Sequence, residues 1–262
     1  MTRFKAFSIH LAISLAIFFV LLYFILVQWY PQPLFSTDGG WHVIRIIAGV
    51  DLILGPALTL IVFKSGKPGL KFDLTMIALV QFLALSWGVW NTYNERPIAV
   101  VYTLDFFTPV PAYQFKEQGI STDELKKYGD DFPIFIYSDI AEDKKSEALF
   151  KSMRSGVPIY LLKEYYKKFD TKYASALKAK SMNLEKYVKT RPKLKKIYQH
   201  AILTGTAKTN ISYLALHARD KWTTVVFDLD EMNFINTIDI EPSGYLFAQK
   251  IKRKKKKETN KK

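Results

Sequence analysis

The sequence contains no cysteine, so the chain forms no disulfide and presents no thiolate ligand to a metal. The glycine-rich motifs that bind nucleotide phosphates are also missing, as is the Gly-x-Ser-x-Gly motif of serine hydrolases. The four histidines occur singly, and no pair has the His-x-x-x-His spacing of a zinc-binding helix. We therefore expect no catalytic residues, no metal and no cofactor, which favours a protein that is not an enzyme.

Most of the chain carries only a small net positive charge. The net charge is +14, but residues 250–262 alone carry nine Lys/Arg against one acid. Residues 93–249 carry 23 basic and 20 acidic residues, so we expect no nucleic-acid surface there. The tail is expected to be disordered and to rest on anionic lipid headgroups. Its membrane-surface residues would be Lys254, Lys255, Lys256 and Lys257.

A second basic stretch precedes the tail. Residues 163–200 hold twelve Lys/Arg against three acids. Such a charge run is typical of a solvated helical face, but it also suits the docking of an acidic partner, and both interpretations stay open.

Long apolar runs are present, and they are confined to the first third of the chain. Residues 7–30, 43–63 and 74–92 each have about the 20-residue length that an α-helix needs to cross the ~30 Å hydrocarbon layer of a bilayer. The first run exceeds the roughly 7–15 residues of a signal-peptide core and lacks a small-x-small cleavage site, so we expect it to be retained. The sequence predicts a three-helix membrane anchor over residues 1–92.

The lysines in the connections predict the topology. The connection at 31–41 has no Lys or Arg, whereas the connection at 64–71 has three lysines. Under the positive-inside rule, this places the second connection and the N-terminus in the cytoplasm. Everything after Tyr93 is then expected outside the cytoplasm.

Residues 93–249 are long enough to bury a core of their own, and they predict a mixed α/β domain. Runs rich in β-branched and aromatic residues predict strands at 98–107 and 132–137. Apolar spacing predicts helices over 139–154, ending at Ser155-Gly156, and over 164–188. An antiparallel meander is expected at 212–217, 222–229 and 234–240.

The second apolar run carries an acid at mid-depth, Asp51. An ionisable residue at that depth costs about 3 kcal/mol on insertion scales, and it usually faces protein or water. Gly49 and Gly55 lie close by on the helix, and Pro56 lacks the amide that would bond back along it. Gln81, at mid-depth of the third run, is the most economical partner within the chain. Asp51 therefore either fixes the bundle through a hydrogen bond, or meets a membrane partner or carries a proton.

His10 and Ser14 lie one helical turn apart in the first run. We expect a local hydrogen bond between them, and not a ligand pair.

The membrane portion also resembles a known family. The segments that carry the likeness are Arg3-Phe-Lys-Ala-Phe7, Ile9-His10-Leu11, Gly40-Trp41, Gly49-Val-Asp-Leu-Ile-Leu-Gly-Pro-Ala-Leu-Thr59, Val62-Phe63-Lys64 and Lys67-x-x-Leu70-Lys71-x-Asp73-Leu74. They are similar to the signature of the type IV pilin accessory proteins called TfpX/TfpZ. The likeness is close over residues 1 to about 100, and it extends to the outer domain only in general layout.

The resemblance implies a multi-pass protein of the Gram-negative inner membrane with a periplasmic domain at 93–249. It implies a chaperone-like accessory role, in which the protein binds a major or minor type IV pilin and assists its stability and pilus assembly. The partner-binding residues would be Asp51, Gly49, Gly55, Pro56 and Gln81, with membrane lipids as the other partner. Two other classes stay open: a small permease or membrane enzyme that uses Asp51, and a membrane sensor.

Overall fold

A computed structural model describes residues 2–189, 199, 210–219 and 221–242 of the chain. Within them, three helices are long and apolar enough to cross a membrane: Arg3–Trp29, Gly40–Val62 and Leu70–Glu95. A mixed α/β domain built on one sheet follows, so the predicted fold class is confirmed. Each helix begins three or four residues before the predicted apolar run, because polar residues at a helix end keep helical geometry.

We call these helices the first, second and third membrane helices. The first is α-helical over Arg3–Tyr23 and π-helical over Phe24–Trp29. The second is α-helical over Gly40–Ile47 and Gly55–Val62, with a π-helical segment over Ala48–Leu54 between them. The third is α-helical throughout, Leu70–Glu95. One short helix, Leu34–Thr37, interrupts the first connection.

The chain divides into two compact units. One comprises Met1–Pro97 with Pro111–Tyr113, and the other comprises Ile98–Val110 with Gln114–Lys262. The first unit therefore contains the three membrane helices, and the second contains nearly all of the sheet.

Within the first unit, the second membrane helix packs against both others. Every fourth residue along one of its faces is buried, ending at Phe63 just beyond the helix. These residues are Ile47, Asp51, Gly55, Thr59 and Phe63, and Pro56 is buried beside Gly55. The Tyr30 hydroxyl is buried and donates a hydrogen bond to the carbonyl oxygen of Thr92 at 3.3 Å. This bond links the end of the first helix to the last turn of the third.

The described strands form one seven-stranded sheet. They are β1 (Pro97–Thr103), β2 (Phe106–Pro111), β3 (Ile134–Ser138), β4 (Tyr166–Lys168), β5 (Ile211–His217), β6 (Trp222–Asp228) and β7 (Asn233–Ile238). Their spatial order is β4-β3-β1-β2-β5-β6-β7. β1 pairs parallel with β3, and β2 pairs parallel with β5. The pairs β3–β4, β5–β6 and β6–β7 are antiparallel, so the predicted C-terminal meander is confirmed.

The single strand predicted over 98–107 is wrong, because a two-residue turn divides it into β1 and β2. Leu104 and Asp105 have positive φ values of 48° and 71°, as both central residues do in a type I′ hairpin turn. The turn has neither Asn-Gly nor Asp-Gly, which explains why the sequence pattern does not indicate it. The strand predicted at 132–137 is confirmed as β3.

The long helix predicted over 164–188 is also wrong. Strand β4 occupies the start of this stretch, where Tyr166 pairs with Ser138 of β3. Two short helices, Ala174–Ala179 and Leu184–Lys189, follow it. The helix-like spacing of aromatic residues in this stretch reflects burial against the sheet, since tertiary pairing overrides local helix propensity.

Five phenylalanines form one aromatic cluster in the second unit. They are Phe107, Phe135, Phe169, Phe227 and Phe234, from four strands and the segment after β4, with ring centroids 5.0–6.3 Å apart. Edge-to-face and offset contacts at such distances stabilise aromatic pairs beyond the gain from burial alone.

The helix predicted over 139–154 begins further along the chain than expected. A 3₁₀ turn at Glu142–Lys144 leads into the α-helix Lys145–Ser155. The predicted glycine stop is confirmed, since Gly156 has a φ of 72°. The remaining elements are the short helices Ala112–Glu117 and Thr122–Lys126 and the 3₁₀ turns Ile159–Leu161, Lys163–Tyr165 and Thr171–Tyr173.

Some predictions fall outside the described residues. They include the tail 250–262 with its membrane-surface lysines, and the basic stretch beyond residue 189 except Gln199.

Candidate functional site

Five polar side chains meet between the three membrane helices. His10 and Ser14 come from the first helix, Asp51 and Thr59 from the second, and Gln81 from the third. We call this set the polar seam. Ser14, Asp51, Thr59 and Gln81 are each at least nine-tenths buried. Polar groups at this depth are stable only when they are hydrogen-bonded within the protein, so the seam is a specific link between the helices.

The first and second helices contribute two hydrogen bonds to the seam. Nδ1 of His10 and Oγ1 of Thr59 are 2.6 Å apart, and Ser14 Oγ donates to Asp51 Oδ1 at 3.3 Å. The expected local bond between His10 and Ser14 is therefore wrong. Both side chains lie on the helix face that meets the second helix, so each pairs across the interface.

The third helix joins the seam through Gln81. Its Nε2 donates to Asp51 Oδ1 at 3.1 Å, which confirms the predicted contact between these two residues. Interhelical hydrogen bonds in membranes contribute on average about 0.6 kcal/mol, with a maximum near 1.7 kcal/mol. Asp51 Oδ1 thus accepts hydrogen bonds from both neighbouring helices.

Two oxygens of the same pair have no partner. Asp51 Oδ2 and Gln81 Oε1 are buried and make no hydrogen bond to any described residue. Buried polar atoms without partners are uncommon in native proteins, and each one requires an explanation.

Gly55 is the residue against which Gln81 packs. A Cβ at position 55 would overlap the side-chain amide of Gln81, with no open space to accept it. The glycine therefore lets the third helix bring its amide to Asp51, one turn away. This is the close backbone approach for which small residues are used at membrane-helix interfaces.

The other predicted site residues of the second helix lie on different sides. Pro56 is buried next to Gly55 in the bundle, at the start of the α-helical segment that follows the π-helical one. Gly49 is not in this interface, since a Cβ added there would meet no atom within 4 Å. The structure thus brings Asp51, Gly55, Pro56 and Gln81 together and leaves Gly49 facing open space.

The π-helical segment Ala48–Leu54 encloses Asp51. Its wider turn is seen at the Gly55 amide, which donates to the carbonyl oxygen of Val50, five residues back. π-Helical turns occur frequently at functional sites because they change the direction in which nearby side chains point.

Most of the outward surface of the membrane helices is apolar. On the second helix, Ile53 and Ile61 are 68% and 70% exposed, and on the third helix Phe82 and Trp87 are 65% and 70% exposed. Such side chains are suited to lipid tails or to the apolar helix of another protein.

The second unit also exposes apolar side chains on one helix. In Lys145–Ser155, Phe150 and Met153 are 64% and 74% exposed, and Leu149 is 42% exposed. We call these three residues the outer apolar patch. Contiguous exposed apolar residues on a soluble unit are typical of an interaction site.

The chain is similar in sequence to known fimbrial assembly proteins. Over 104 residues, the chain is 36% identical to the "Fimbrial assembly protein, serogroups C1 and C2" of Dichelobacter nodosus, a stretch covering 38% of this chain and 79% of that protein. The fimbrial assembly proteins of serogroups I and E1 of the same organism match at 36% and 35% identity. The chain spans 40% of the length of those two relatives. No family model and no solved structure matches the chain.

Proposed function

Because this chain belongs to the family of fimbrial assembly proteins, we propose that it is an accessory protein of the TfpX/TfpZ type that assists type IV pilus assembly by binding the pilin subunit. The observation that carries the proposal is the 36% identity to a relative of which the chain covers 79%. The three membrane-length helices support a site of action at the membrane.

The proposed location is the inner membrane of a Gram-negative bacterium. In this arrangement, residues 1–92 are the membrane anchor, 93–249 the periplasmic domain and 250–262 a lysine-rich tail on the membrane surface. The N-terminus and the connection at 64–71 lie in the cytoplasm. The three lysines of that connection, against none at 31–41, support this orientation.

The proposed action is chaperone-like and non-enzymatic: the protein holds a pilin whose apolar helix is in the membrane. On the second helix, Gly49 offers the open backbone surface for the pilin helix. Asp51, Gly55, Pro56 and Gln81 belong to the same proposed site, but from inside the bundle, where they fix the orientation of that surface. The outer apolar patch would meet the globular part of the pilin.

Site-specific photo-crosslinking in pilus-forming cells tests this proposal. Crosslinkers would replace Gly49 and Phe150, with a matched control at Leu83 of the third helix, which is 58% exposed. We expect a pilin adduct at position 49 or 150, and none at 83. Stable protein without an adduct at either test position, while pili form, would contradict pilin binding.

A further inference from the structure

We propose that the membrane helices contain a proton-binding site between Asp51 and Gln81. Asp51 is a neutral carboxylic acid in the folded bundle, and its proton lies on Oδ2, where it is donated to Gln81 Oε1. Together with the bond from Gln81 Nε2 to Asp51 Oδ1, it closes a cyclic acid–amide pair between the second and third helices.

The two oxygens without partners carry this inference. Asp51 Oδ2 and Gln81 Oε1 are both buried, and both are acceptors when Asp51 is ionised, so neither can satisfy the other. A protonated carboxyl group offers one O–H donor beside a carbonyl acceptor, and a primary amide can face it with one of its two N–H donors beside its own carbonyl acceptor. Nε2 and Oδ1 already bond at 3.1 Å, so the carboxyl group and the amide are held together. In the proposed pair, one hydrogen on Oδ2 that is donated to Oε1 gives both remaining oxygens a partner. A single proton therefore provides a hydrogen bond for both buried oxygens.

The groups that face Asp51 are two neutral hydrogen-bond donors and one titratable side chain, His10, which favours an ionised Asp51 only when it carries a proton itself. From the first helix, Ser14 donates one neutral hydrogen bond, and the titratable side chain His10 is engaged with Thr59. From the third helix, the facing residue is the uncharged Gln81. Asp51 forms no ion pair with any described residue. Arg45 of its own helix is exposed. A buried carboxyl group without a cation takes up a proton in preference to staying charged.

Gly55 sets the geometry of this pair. The Gln81 amide packs directly on the glycine backbone, and therefore reaches Asp51 with both of its polar atoms inside the bundle. The proton-binding site consequently depends on close contact between the second and third helices, and it disappears if they separate.

Infrared spectroscopy of the purified full-length protein in lipid vesicles tests the proposal without pilin. At neutral pH, the wild type should show the carbonyl stretching band of a protonated carboxylic acid, shifted in heavy water. Asp51→Asn should remove that band. The control Asp73→Asn should leave it, because Asp73 is a partly exposed acid in an ion pair with Lys67. Gln81→Leu should move the band to higher frequency, since the acid loses its hydrogen bond to the amide.

Thermal unfolding provides a second measurement. Asn can present one N–H donor and one carbonyl acceptor to Gln81, as a protonated Asp presents one O–H donor and one carbonyl acceptor, so Asp51→Asn should unfold at the same temperature as the wild type. Folded wild-type protein with no acid band at neutral pH, or a band that survives Asp51→Asn, would overturn the proposal. A wild-type protein that lacks the acid band and is stabilised by sodium would also overturn the proposal, because a cation would then occupy the two oxygens.

Discussion

Gly55 lies so close to Gln81 that only a residue without a side chain fits at this contact between the second and third membrane helices. The position has no room for a methyl group, and the amide that fills it is held by Asp51. The same helix contains a second glycine with no such constraint, Gly49. The two positions allow a matched comparison of what a small residue contributes to this bundle.

The first prediction is that Gly55→Ala lowers the stability of the protein and Gly49→Ala does not. Overpacking a tight site costs about 1–3 kcal/mol, and here the Gln81 amide must move away from Asp51. Thermal unfolding in detergent measures the difference, with Gly49→Ala as control. Equal unfolding temperatures for the two variants would show that the contact with Gln81 is not tight.

The second prediction concerns the loss of the acceptor at Asp51. Asp51→Leu leaves the Ser14 hydroxyl and the Gln81 amide without their partner, at a cost of about 1–3 kcal/mol for each unsatisfied donor. The protein level in membranes should fall, whereas Asp51→Asn should accumulate normally. Quantitative immunoblotting measures both variants, and normal levels of the leucine variant would argue against a structural role of the seam.

The third prediction is topological. A reporter that is active only outside the cytoplasm should function when fused after Asn94 and fail when fused after Gly66, because the lysines at 64–71 stay inside. Immunoblots confirm that both fusions are made. The reverse pattern would place the sheet in the cytoplasm and exclude contact with the outer part of a pilin.

The fourth prediction compares two phenylalanines of the second unit. Phe107→Ala should destabilise this unit by about 3–5 kcal/mol, because Phe107 is fully buried at the centre of the phenylalanine cluster. Phe150→Ala should change its stability by less than about 0.5 kcal/mol, since Phe150 is exposed. Pulse proteolysis of the full-length protein measures both. A large loss for Phe150→Ala would mean that the outer apolar patch supports the fold.

The fifth prediction is a pH dependence. Burial lowers the pKa of His217, whose ring stacks on Trp222 at 4.3 Å. The folded unit therefore favours neutral histidine, and the unfolded chain binds the proton more readily. This contribution to stability is present above the ordinary histidine pKa of about 6.5, and it is lost as the pH falls below that value. His217→Phe keeps an aromatic ring there and should weaken the loss of proteolytic resistance at mildly acidic pH. An unchanged pH profile would assign the loss to other groups.

The sequence was sufficient for the membrane helices and for one contact between them. Hydropathy and length locate three helices, and two polar residues at mid-depth, Asp51 and Gln81, have few alternatives to each other. The partners of His10 and Ser14 were missed, because they lie 49 and 37 residues away in the chain. The available signal was the four-residue spacing of Ala6, His10 and Ser14, which places them on one helix face.

The second unit shows where local patterns fail. The type I′ turn at Leu104 and Asp105 has no sequence signature, so two strands looked like one. The aromatic residues of β4 and the segment after it match a helical period, but they are buried against strands that lie far away in sequence. Sheet partners at such separations are not visible to a reading of neighbouring residues.

The shortness of β4 affects how readily another protein chain can add a strand to the sheet. Among the described strands, β4 lies at one edge of the sheet; it has three residues, and two of them, Lys167 and Lys168, are exposed. An edge that is short and charged gives an incoming strand few backbone groups to pair with and repels a second copy of itself. Along β4 the sheet therefore resists intermolecular strand addition and aggregation, and a partner would recognise this side through its lysine side chains and not through its backbone.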